Sequence, residues 1–291
     1  MFNGVITALA TPFHNGRVDY KSLEQLIDQQ LSHGIQGFVV CGTTAESPTL
    51  KEAEQLQILE FVCNKVKGQV PILFGSGSNC TQKTIELSHK ASAFPIDGLL
   101  IVVPYYNKPP QEGLIQHFET IANNVEKPVV LYNVPGRTIT SIAADTLIRL
   151  ASHPNIVGIK EASGDLDFLK NVKPLVPADF NWLSGDDETS IEFTYLGGDG
   201  VISVCSHIAP DSMVQWIQKA RDKNGQVLEE FEPNKQWIQQ IYTAPNPIPV
   251  KAALFHRGVI ATKEMRLPLT PMPDDLETTM LDTFKKFPGV L

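Results

Sequence analysis

Val129-Val130-Leu131-Tyr132-Asn133-Val134-Pro135-Gly136-Arg137-Thr138 reads as a buried strand that runs into a turn. Its first residues are apolar without alternation, as in a strand covered on both faces, and Pro135-Gly136 breaks the run. Working outward, similar short runs bounded by Gly or Pro lie at Val5–Ala10, Gly37–Val40, Pro71–Phe74, Gly98–Val103, Ile156–Lys160, Trp182–Ser184 and Val201–Val204. Helical spacing fills the gaps: Leu23, Leu26, Ile27 and Leu31 share a face, as do Leu56, Leu59, Cys63 and Val66, and Leu114, Ile115, Phe118, Ile121 and Ala122. Strand starts recur roughly every 18 to 34 residues, the rhythm of right-handed βα units.

Eight such units need about 200 to 250 residues and close into a (β/α)8 barrel. The expected fold is therefore α/β, a (β/α)8 TIM barrel over residues 1–224, with a small helical C-terminal domain over 225–291. There Val227–Tyr242, Val250–Val259 and Asp274–Lys286 look helical, joined by the Pro-rich stretches Pro245–Pro249 and Pro268–Pro273. An open doubly wound sheet competes, but the evenness of the units favours closure.

Composition narrows the function. The 291 residues carry 24 Lys+Arg against 32 Asp+Glu, a formal charge of −8, and show no basic patch, which argues against a nucleic-acid partner. No apolar run reaches the roughly 18 residues of a membrane span, and the first residues do not read as a secretory signal. Cysteines at 41, 63, 80 and 205 fit neither a zinc site nor a redox pair, so reduced thiols and a cytoplasmic location are expected. No metal and no nucleotide cofactor are expected, because neither a dinucleotide fingerprint, a P-loop nor HExxH spacing is present. Asp186-Asp187-Glu188 looks like a metal cluster, yet acidic residues opening a helix are the commoner case.

On a barrel, chemistry belongs at the C-terminal strand ends. Lys160 stands at one of them, and its functional reading is an amine that forms a Schiff base with a carbonyl substrate. Period-two alternation would put Ile156, Gly158 and Lys160 on one face, the glycine leaving room inside the barrel. The plainer alternative is a surface lysine paired with Glu161. Tyr132, Tyr106, Thr43 and Thr44 also sit at strand ends, where hydroxyls can relay the protons that imine formation moves. Taken singly, each also reads as a group satisfying local backbone. The Thr43-Thr44 turn, before a helix beginning near Thr49, can hold a carboxylate or serve only as a capping box with Glu46. Arg137 suits a bidentate grip on a carboxylate, or is a solvated loop residue.

Together the ordered motifs resemble one family along nearly the whole chain. They are Gly42-Thr43-Thr44-Ala45-Glu46, Pro104-Tyr105-Tyr106-Asn107, Tyr132–Thr138, Gly158-Ile159-Lys160-Glu161, Ser184-Gly185-Asp186-Asp187, Gly200–Val204, Pro245–Lys251 and Arg266–Pro271. The family is that of the 4-hydroxy-tetrahydrodipicolinate (dihydrodipicolinate) synthases, among the pyruvate-dependent Schiff-base aldolases and lyases. The resemblance implies a lyase of lysine and diaminopimelate biosynthesis that condenses pyruvate, held on Lys160, with aspartate semialdehyde. It implies a proton relay of Thr43, Tyr106 and Tyr132, with Thr44 on the pyruvate carboxylate and Arg137 on that of the semialdehyde. Gly185 and Ile202 would contribute backbone near the lysine. It further implies a homotetramer of tight dimers, Tyr106 reaching into the partner's site.

Sibling activities, N-acetylneuraminate lyase or a keto-deoxy sugar-acid aldolase, share Lys160 and Tyr132; Arg137, Tyr105-Tyr106 and Thr43 favour the synthase. A non-catalytic relative would have lost the lysine, tyrosines or arginine, and none is lost. Ala45 replaces a usual glycine, and His207 stands where many members carry asparagine. Lysine-inhibited members bind lysine near the helix after the Thr-Thr turn; with Glu52, Gln55 and Lys83 replacing two histidines and a glutamate, weak or absent inhibition is expected here.

Overall fold

The computed structural model describes residues 2–290. Eight parallel strands close a barrel: β1 (Gly4–Ala8), β2 (Gly37–Val40), β3 (Ile72–Gly75), β4 (Gly98–Val102), β5 (Val129–Asn133), β6 (Ile156–Glu161), β7 (Asn181–Ser184) and β8 (Gly200–Ser203). Each pairs with the next in sequence, and β8 closes on β1 with Ile202 opposite Ile6.

The unbroken apolar runs are explained by two cores. Outward residues such as Phe38, Val40, Leu99, Ile101, Val129, Leu131 and Val201 pack under the helices. Their neighbours Val39, Leu100, Val130, Tyr132 and Ile202 fill the barrel with Phe2, Ile6 and Leu183. Both faces are dry, so both are apolar.

The face expected for Ile156, Gly158 and Lys160 does not hold throughout. The register between β5 and β6 shifts after Val129–Ile156, so that Val130 pairs with Gly158. The extra residue, Val157, leans on the inner core, while Ile156 joins the outer one. A bulge resets the alternation. Gly158 is needed for a different reason, since a Cβ there would lie 2.7 Å from the Asn181 carbonyl oxygen.

Helices Tyr20–Ser32, Glu52–Val66 and Gln111–Asn124 contain the helical stretches read from spacing. The expected helix Val227–Tyr242 is instead broken into Gln226–Phe231, a 3₁₀ turn Glu232–Asn234, and Lys235–Gln240. Pro233 lacks an N–H and its ring clashes with the preceding turn, which forces the break. Two further C-terminal helices, Ile248–His256 and Asp274–Phe284, follow. Val227, Phe231, Trp237, Ile238 and Met280 belong to the same apolar cluster as the barrel's outer shell. Among the described residues, no helix is long and apolar enough to cross a membrane.

Candidate active site

Lys160 and Tyr132 meet because β5 and β6 place them opposite each other in register. The Lys160 Nζ lies 4.4 Å from the centre of the Tyr132 ring. Lys160 is 6% exposed, and among the described residues no carboxylate comes within 4.0 Å of its amine. The pairing with Glu161 is absent: that carboxylate points the other way, accepting from Asn133 Nδ2 at 2.7 Å and from the Ser163 amide at 2.7 Å. Burial pushes the Glu161 carboxyl above its usual range. Gly185 packs on the lysine so closely that a Cβ there would lie 2.8 Å from Lys160 Cε. Ile202 joins Tyr132 and Leu183 in the barrel interior.

A cavity of about 780 Å³ opens at the C-terminal mouth, lined in part by Thr43, Tyr132 and Arg137. It continues outward past Ser47, Glu52, Gln55, Lys83 and Tyr105. Thr44 is buried, and its Oγ1 accepts from Asn246 Nδ2 at 3.0 Å. Arg137 Nη2 donates to the Asn246 carbonyl at 3.1 Å, so one residue of the C-terminal segment holds both groups. Tyr106 is not brought to this cavity. It is 89% exposed, with a backbone φ of 74°.

The Thr43–Ala45 turn is not a helix cap. The following helix begins at Glu52, with Lys51 and Glu54 forming the cap, and Glu46 ends a 3₁₀ turn in left-handed conformation. Its carboxylate is buried on Lys251 Nζ at 2.7 Å. The acidic run differs as well. Asp186 accepts from the Thr189 amide and hydroxyl near a helix start, whereas buried Asp187 accepts from the Val204 and Cys205 amides and the Tyr242 hydroxyl.

The chain matches the Dihydrodipicolinate synthetase family over residues 1–287. The chain belongs to this family. It is 45% identical over 294 residues to the 4-hydroxy-tetrahydrodipicolinate synthase of Bdellovibrio bacteriovorus, covering 100% of this chain and 99% of that protein. Among solved structures, the dihydrodipicolinate synthase of Acinetobacter baumannii complexed with pyruvate superposes with a TM-score of 0.96 at 40% identity, covering 100% of each chain. A monomeric dihydrodipicolinate synthase variant superposes with a TM-score of 0.92 at 39% identity, covering 100% of this chain and 98% of that one.

Asn246, the buried role of Asp187 and the Glu46–Lys251 pair were not evident from the sequence. One signal was available for the last. Ile248-Pro249-Val250-Lys251-Ala252-Ala253-Leu254 is apolar except for a single cation, and a buried cation requires a partner. His207, left without a role by the sequence, ties two strand ends: its Nδ1–H donates to the Val204 carbonyl at 2.8 Å and its Nε2 accepts from the Ala10 amide at 3.1 Å. The bond from Ala10 requires the neutral ring, and burial pulls its pKa down to about 4.

Proposed function

We propose that the chain is a lyase that condenses pyruvate with L-aspartate 4-semialdehyde through a Schiff base on Lys160, giving 4-hydroxy-tetrahydrodipicolinate for lysine and diaminopimelate biosynthesis. One observation carries the assignment of the nucleophile: Lys160 is a withdrawn lysine without a carboxylate, set on Tyr132 beside the mouth cavity. An amine so placed is not tied up in an ion pair and is free to attack a carbonyl.

The amine adds to the pyruvate carbonyl, and the resulting hydroxyl leaves as water to give the imine. Tyr132 and Thr43 carry the protons, with Tyr106 of a neighbouring copy completing the relay in a homotetramer. Thr44 binds the pyruvate carboxylate. Loss of a methyl proton converts the imine to an enamine, whose carbon attacks the semialdehyde carbon while Arg137 holds that substrate's carboxylate. The substrate amine then attacks the imine carbon, and Lys160 departs as the ring closes. Gly185 and Ile202 line the lysine's bed. The chemistry requires no metal or organic cofactor, since the protonated imine on Lys160 takes up the electron pair released with the methyl proton. The catalytic unit in this reading is residues 1–224, with 225–291 a helical appendage that supplies Asn246, and the enzyme acts in the cytoplasm.

Family membership and the names of its relatives support the synthase over the sugar-acid lyases. An assay of the purified protein with pyruvate plus aspartate semialdehyde, against pyruvate plus N-acetylmannosamine, tests this. Turnover with the first pair is expected; turnover with only the second would transfer the chain to the lyases.

A further inference from the structure

Glu46 combines two costly features. Its backbone is left-handed, at φ 55° and ψ 35°, where residues with a Cβ are strained, and its side chain carries a charge with no exposure to water. Both are held from the far side of the turn. Lys251 Nζ binds one carboxylate oxygen at 2.7 Å, and the Arg266 amide donates to the other at 3.0 Å. The Glu46 amide in turn donates to the Thr43 carbonyl at 3.0 Å, and its carbonyl accepts from the Thr49 amide and hydroxyl, each at 2.9 Å. Lys251 and the Arg266 guanidinium stack on Phe13, 4.4 and 4.5 Å from its ring centre, which closes the pocket. No atom of the pair lines the mouth cavity, whereas Thr43 does.

We propose that the Glu46–Lys251 ion pair is a positioning device: it fixes the left-handed end of the turn from behind and so sets the Thr43 and Thr44 hydroxyls toward the pyruvate imine. The inference rests on the reading of Thr43 as a relay group. It gives the C-terminal appendage a second hold on the reaction site, besides Asn246 on Thr44.

Replacing both partners, Glu46→Gln with Lys251→Met, leaves no lone buried charge, and such exchanges often preserve stability. Three proteins are compared: the double variant, Thr43→Val, and the two combined. Active sites are counted by borohydride-trapped pyruvate at saturation, so that misfolded protein does not enter kcat. The double variant is expected to lose about tenfold or more in kcat per active site and to raise the pyruvate KM, with the semialdehyde KM unchanged. Because the pair acts on kcat through Thr43, adding it to Thr43→Val should lower kcat little further, as coupled residues behave non-additively, while the rise in pyruvate KM through Thr44 persists. A double variant with normal kcat, or losses that multiply in the combined protein, overturns the proposal while the relay stands. Thr43→Val with unchanged kcat overturns the relay and the proposal together. Should the double variant not fold, Glu46→Asp, which keeps the charge on Lys251 but draws the carboxylate back by one methylene, reads the same split.

Discussion

Buried ionisable residues in this molecule divide by whether they are partnered. Lys251 has Glu46, and burial still lowers its pKa, because lost hydration outweighs the carboxylate's attraction. His207 is kept neutral by the same loss of hydration and by an amide that needs its bare nitrogen. The consequence for stability has a definite sign. An unfolded histidine titrates near 6.5 and this one near 4, so below pH 6.5 the unfolded chain takes up the extra proton. The stabilisation is complete above pH 6.5 and fades as pH falls toward 4, by about 2 kcal/mol between pH 7 and pH 5. Glu161 and Asp186, both pushed up by burial, act in the opposite direction, so the histidine is isolated by comparing variants. His207→Asn should flatten this slope by about that amount in urea denaturation at pH 7 and pH 5. An unchanged slope would remove the neutral-histidine tie from the account.

At the scale of elements, the strand ends decide what touches Lys160. Gly185, directly after β7, has no room for a side chain: a Cβ would lie 2.6 Å from that of Ala162 and 2.8 Å from Lys160 Cε. Gly185→Ala should displace the lysine by a few tenths of an ångström to an ångström, and misplacement of that order costs up to roughly 10²-fold in rate. Stopped-flow trapping of the pyruvate imine should slow accordingly, with a smaller change in melting temperature. Imine formation at the parent rate would mean that the lysine has slack. The barrel was legible because every strand is dry on both faces, which leaves uninterrupted apolar runs between Gly and Pro. What escaped were irregularities that the period does not encode. The bulge at Val157 depends on how β6 fits β5, and the ion pair Glu46–Lys251 joins residues far apart in sequence. Two misses had local signals. Pro233 marked the break in the C-terminal helix, and Asn15-Gly16, at φ 53° and 75°, turns the small hairpin of Phe13–His14 and Arg17–Val18. Of the residues gathered at the C-terminal mouth, Lys160, Tyr132, Thr43 and Arg137 were visible as reactive types at strand ends. Asn246 was not, because its role depends on how the C-terminal segment docks.

For the whole molecule, one cavity runs from Tyr132 beside Lys160 outward to Lys83. Lys83 faces this space, and the Glu52 carboxylate is already engaged by Lys90 at 2.6 Å. An effector with two ammonium groups meets one repelling charge and a carboxylate in use, which weakens binding by up to roughly fivefold even at an exposed site. A steady-state titration should show little inhibition by lysine below millimolar concentration, and sub-millimolar inhibition would refute this. The central claim concerns which of the molecule's amines reacts. Lys160 and Lys251 are both withdrawn from water, and only Lys251 is held by a carboxylate. Pyruvate should therefore be captured at one place when the imine is reduced with borohydride. Peptide mass mapping of the whole reduced chain is the direct measurement: the account predicts a single adduct on Lys160, and an adduct on Lys251 or any other residue, or none at all, would contradict it.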